Sequence, residues 1–210
     1  MRVRFPSLAA VAIALFATAC GQKKVAVLSG STVDAGRVEP VDLVVRVYDQ
    51  SGGVRAGSDE ALVVAAEILA DASIKIQWRV CIDPGPDPGC DEPASSGERF
   101  VRLMQSDDGK HTISGAALGK VVDPGIWLNV HMYVDRVGKQ SARAGCDLQL
   151  LLGRAIAHEI GHLLLGHGKH SGEGLMRAHF TDALLRLSQP EDWQFTASQA
   201  AAMRARLGLR

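Results

Sequence analysis

HEIGHLLLGHGKH, residues 158–170, is the stretch on which the reading of this chain turns. His158 and His162 lie four positions apart, about 40° around a 3.6-residue helix, so both imidazoles can reach one divalent cation. Glu159 stands one step along, within reach of water held beside that cation. Imidazole ligands, an open coordination position and an adjacent carboxylate base are what zinc-assisted amide hydrolysis requires, and the expected cofactor is one catalytic Zn2+. Leu148, Leu150, Leu151, Leu152, Ile156, Ile160, Leu163, Leu164 and Leu165 make the segment apolar almost all round, which predicts a buried helix from about residue 147 to 165. Imidazole and carboxylate groups are costly in such a place unless paired or metal-bound. The bland alternative is a pair of hydrogen-bonded core histidines.

Working outward, residues 41–49 (VDLVVRVYD) alternate with Leu43, Val45 and Val47 on one face and predict a strand. A helix follows from Ser58 to about Asp71, with Leu62, Val63, Ala66, Ile68 and Leu69 at helical spacing. Ile74, Ile76, Trp78 and Val80 fall on alternate positions of a second strand. Residues 100–104 predict a third and residues 126–134 (IWLNVHMYV) a fourth. The glycine-rich connection between those two carries an Ala117-Leu118-Gly119 triplet expected to border the active cleft. Gly166 is expected to end the metal helix in a left-handed cap. Thr196 and Gln199 form a capping box that opens a last helix. This order predicts an α+β domain over residues 41–210.

Residues 1–19 place Arg2 and Arg4 before an apolar run and then Ala17-Thr18-Ala19, the order of a secretory signal peptide too short to span a membrane. Residues 20–40 read as a tether. Ala17-Thr18-Ala19 fits an ordinary cleavage site; followed by Cys20, it also resembles a bacterial lipoprotein box, which implies lipidation of Cys20 and membrane tethering. Either outcome is export: a periplasmic or outer-surface lipoprotein, or a secreted protein. The formal charge is balanced, 23 basic against 23 acidic residues. No basic run or aromatic-interleaved patch marks a nucleic-acid partner. Cys81 and Cys90 bracket a turn-rich loop whose ends can meet, which predicts a disulfide. Cys146 is then a buried thiol, or a partner of Cys20 if that residue is not lipidated.

HEIGHLLLG, followed by His170-Ser171 and Gly174-Leu175-Met176, resembles the zincin metallopeptidases, and within them the metzincin or matrixin-like group of small exported bacterial proteins. The resemblance implies a zincin-like fold: a twisted, mostly parallel or mixed sheet over an active-site helix, with a C-terminal helix. It also implies one catalytic zinc held by His158 and His162, Glu159 as general base, and Met176 in a turn beneath the metal. The family pattern HExxHxxGxxH would put glycine at 165 and histidine at 168, where this chain has Leu165 and Gly168. His170 is the preferred third ligand, because Ser171 and Met176 follow it in the matrixin manner. His167 is the alternative, with His179, Glu173 and Asp182 behind it.

His131, in the predicted fourth strand, is read as a surface or hydrogen-bonded residue; that strand could also line bound peptide. Arg177 is read as a structural charge, and Trp78, Trp127 and Trp193 as core or edge packing. The expected activity is that of an exported zinc-dependent endopeptidase acting, as a monomer, on peptide or protein substrates. The rivals are a catalytically silent zincin-fold lipoprotein that serves as a binding module, and a non-peptidase zinc amidohydrolase.

Overall fold

Alternating burial produces the first strand, β1 (Val41–Asp49), which hides Leu43, Val45 and Val47 on one face. The structure, a computed structural model, describes residues 38–51, 58–81, 90–106, 117–122 and 129–208. The expectations for the signal peptide, Cys20 and Trp127 fall outside those residues. After β1 come helix α1 (Ser58–Asp71), β2 (Ile74–Cys81), β3 (Arg99–Met104), β4 (Gly119–Val122) and β5 (Asn129–Tyr133). Helices α2 (Val134–Ala144), α3 (Leu148–Leu165), α4 (Asp182–Leu187) and α5 (Ala197–Gly208) complete the chain, with a short 3-10 turn at Pro190–Trp193 before α5.

The five strands form one sheet in the order β2-β1-β3-β5-β4, parallel except for β4, which runs antiparallel to β5 at the edge. This mixed, mostly parallel sheet with packed helices is the predicted fold class. Helix α3 packs on β4 and β5 and touches α1, α2 and α5. Its Leu151, Leu152, Ile156, Ile160, Leu163 and Leu164 are almost wholly buried, each such side chain contributing roughly 1.5–3 kcal/mol of apolar burial. Gly153 lets α1 approach: a Cβ there would lie 2.5 Å from the Ala61 carbonyl and 2.6 Å from Val64 Cβ.

On the opposite face of the sheet Arg46 is buried against Glu98 at 2.5 Å, and Arg79 reaches the same carboxylate at 3.2 Å. Arg46 also donates to the carbonyls of Cys90 and Glu92, at 3.3 and 2.8 Å. The predicted Cys81–Cys90 disulfide is formed, with Cα atoms 5.6 Å apart. It therefore anchors the segment whose carbonyls satisfy a buried guanidinium. Cys146 is half-buried, and its carbonyl accepts the Ser141 hydroxyl at 2.6 Å.

Three expectations need correction. The strand predicted over residues 126–134 is described only as Asn129–Tyr133, and Val134 instead opens α2. That helix is mostly polar and contains Gly138, which hides it, although Val134, Val137, Ser141 and Ala144 fall on one buried stripe. The glycine-rich connection contains strand β4. His131 lies on β5, which is paired on both sides, so a peptide cannot add to that strand as a new neighbour.

Candidate metal centre

Helix α3 starts where Asp147 Oδ1 accepts the Leu150 amide at 2.8 Å, an N-cap that satisfies one orphan donor. Residues 151–164 are all buried, so this helix carries His158, Glu159 and His162 into the interior, each 8% exposed. It ends at Gly166, whose amide donates to the His162 carbonyl at 2.9 Å. The expected left-handed cap is not what forms. Gly166 has φ +103° and ψ 156°, a region essentially closed to other residues, and the chain leaves the helix there. Gly168 adds a second positive φ, of +70°.

Residues 167–170 then double back so that His170 faces the helical pair. The ring nitrogens offered by His158, His162 and His170 lie within 4.8 Å of one another. His162 Nε2 and His170 Nε2 are 3.1 Å apart. Two nitrogens at about 2.0–2.1 Å from a tetrahedral zinc would be about 3.3 Å apart. The donor set therefore fits zinc. His158 Nδ1 lies 2.8 Å from the Leu175 carbonyl; a carbonyl only accepts, so Nδ1 carries the proton and Nε2 keeps its lone pair for the shared centre. Among the described residues, His162 Nδ1 is buried without a hydrogen-bond partner.

The other candidates for third ligand lie elsewhere. His167 and His179 are exposed on the rim of the cleft, and Glu173 is exposed with its carbonyl accepting the Ser171 hydroxyl. Asp182 heads α4, taking the Arg143 guanidinium at 2.9 Å and the Gln140 amide at 2.8 Å. Arg177 pairs with Asp192 at 2.8 Å, the structural role expected of it. Met176 is fully buried beneath α3: a Cβ on Gly161 would lie 2.5 Å from its sulfur. Its turn is closed by Ser171 N–H donating to the Met176 carbonyl and Leu175 N–H to the Gln194 carbonyl, both at 2.8 Å. Gly174 is required in that turn, having φ +67° and sitting where a Cβ would strike the Gln194 carbonyl at 2.6 Å.

Burial sets the electrostatics. It pushes the His158 and His162 imidazoles down to about 4; the Leu175 hydrogen bond opposes this at His158. It pushes the Glu159 carboxyl up to about 7. Neutral imidazole is the form that binds a metal, and a carboxyl titrating near neutrality is matched to proton transfer. The three groups face a cleft of about 700 Å³ bordered by Ala117, Leu118 and Gly119, as the sequence predicted, and walled by Phe180. Gly119 brings β4 close over the acid: a Cβ there would be 3.0 Å from Glu159 Cγ. The part played by Phe180 and the closeness of Gly119 to Glu159 had no counterpart in the sequence reading.

No protein-family model matches this chain, and no curated protein matches it in sequence. Among solved structures it is similar to archaemetzincin from Methanopyrus kandleri, with a TM-score of 0.45 and 15% identity over 83% of this chain and 99% of that one.

Proposed function

We propose that this protein is an exported zinc-dependent endopeptidase of the metzincin-like kind. The observation that carries the proposal is the convergence of His158, His162 and His170 beside a buried Glu159 at the floor of an open cleft. His158, His162 and His170 would hold the ion, leaving one position open. Bound zinc supplies Lewis acidity toward a scissile carbonyl and toward water. Glu159, ionised, takes the proton from the attacking water at its carboxylate and passes it to the leaving amine. The outer edge of β4 has no strand partner among the described residues and borders the cleft. An extended substrate would pair its backbone there, as edge strands accept peptides. Export rests on residues 1–19, and lipid attachment on Cys20.

The test is digestion of a peptide library by the purified mature protein and by Glu159→Ala, with zinc measured in both. The account expects zinc retained and cleavage reduced by about 10²–10⁴-fold, the range of a lost general base. Zinc without cleavage by either protein would point to a silent binder. Cleavage confined to small amides would point to an amidohydrolase.

A further inference from the structure

Apart from the other two histidines, whose ring centroids lie 4.7 and 5.6 Å away, two groups hold His158. On one edge of its ring, Nδ1–H meets the Leu175 carbonyl at 2.8 Å. Against the ring stands Phe180, with centroids 5.4 Å apart and planes at 82°. Phe180 in turn meets Trp193 at right angles, 5.1 Å between centroids. Over the Trp193 ring, 3.9 Å from its centroid, lies the guanidinium carbon of Arg154. Arg154 is 7% exposed and stands one helical turn before His158 on α3. The circuit therefore begins and ends on the same helix.

Each link has a physical reason. The Leu175 hydrogen bond fixes which nitrogen is protonated but leaves the ring free to tilt about it, and a tilt swings Nε2 away from the shared centre. Phe180 blocks that tilt. Phe180 is only half-buried and lies on irregular chain before α4, so it needs a support of its own. Trp193 is 3% exposed and is fixed by its Nε1–H donating to Ser188 Oγ at 2.7 Å. Burying a guanidinium is costly compared with an apolar side chain of similar length, and the Trp193 face offers this one an electrostatic return.

Resting on the zinc reading above, we propose that Arg154 is a positioning residue for the metal centre, acting through Trp193 and Phe180 to hold the His158 imidazole in its ligating orientation. Support of this kind beyond the ligands typically governs metal affinity by about 10–100-fold.

Zinc affinity of the full mature chain, measured by competition with a chromophoric chelator, tests this on Arg154→Met, Arg154→Lys, Phe180→Leu and the Arg154→Met/Phe180→Leu double variant. Arg154→Met and Phe180→Leu should each weaken zinc binding by about 10-fold. The double variant should be no weaker than about either single one, because both break the same circuit. Arg154→Lys should restore most of the affinity, since it keeps the cation over the ring. If Arg154→Met does not fold, Phe180→Leu and Arg154→Lys carry the test. Unchanged affinity in the single variants, or effects that multiply in the double one, would overturn the assignment. Wild-type protein that binds no zinc would instead bring down the metal reading itself.

Discussion

His158 and His162 stand on a helix whose residues 151–164 are all buried, whereas His170 stands exposed on a loop that follows two positive-φ glycines. The helical pair is held by the fold: Leu175 accepts from one imidazole, Phe180 packs on it, and Met176 fills the space beneath Gly161. The loop histidine makes its closest ring contact with His162 itself. If the three histidines hold an ion, one half of that centre would be set by the buried helix and the other supplied from an exposed loop. Removing a ligand should therefore have different consequences in the two halves.

His158→Ala should show the largest effect. It removes a ligand and leaves the Leu175 carbonyl without its donor, so zinc affinity should fall by more than about 100-fold and the metal-free fold should lose about 1–3 kcal/mol. Isothermal titration and urea unfolding measure the two. His170→Ala should cost about as much zinc affinity, but leave metal-free stability within about 0.5 kcal/mol, as at an ordinary exposed position. His167→Ala should change neither. If His167→Ala weakened zinc more than His170→Ala, the loop half of the centre would have to be redrawn.

A smaller effect probes the buried half without touching a ligand. At Gly161 a Cβ would lie 2.5 Å from Met176 Sδ and 2.7 Å from Phe195 Cε1. Gly161→Ala should cost about 1–3 kcal/mol of overpacking, read from denaturant unfolding. A neutral outcome would mean that the turn below α3 gives way freely and does not brace the helix.

The smallest effect is a pH dependence of the metal-free protein. His158 and His162, lowered to about 4, stay neutral when folded but take up protons when unfolded as pH drops below 6.5. Glu159, raised to about 7, works the other way: folded, it keeps a proton that the unfolded chain releases above its ordinary carboxyl value. Between about pH 5 and 6.5 the unfolded chain therefore binds about one more proton net from these groups. Their contribution to stability should fall by about 1.4 kcal/mol per pH unit on acidification. His158→Ala should abolish most of that slope, because the one proton still taken up by His162 on unfolding then balances the one Glu159 releases.

The difference between the two halves also governs how far each was legible in the sequence. The buried half announces itself: apolar residues all round α3 with histidines at i and i+4 leave one economical reading, and Asp147 marks its start. Strands β1 and β2 are equally plain, because one face of each packs on the core, fully in β1 and partly in β2, and the alternation must show it. The loop half depends on Gly166 adopting a backbone conformation that spacing alone does not specify, and the expected left-handed cap was the wrong one. Helix α2 was hidden because much of it faces outward and its buried stripe is short. Strand β4 was missed for a related reason: four residues beginning with glycine carry almost no periodicity. Arg154 carried no reading of its own in that apolar run, because its use depends on Trp193, nearly forty positions away.

X-ray absorption at the zinc edge of the purified mature chain tests the central claim most directly. The account predicts one zinc per chain with three imidazole nitrogens at about 2.0–2.1 Å and one oxygen donor, and one imidazole fewer in His170→Ala. A protein that emerges without metal after zinc is supplied, or a spectrum that is the same in wild type and His170→Ala, would contradict it.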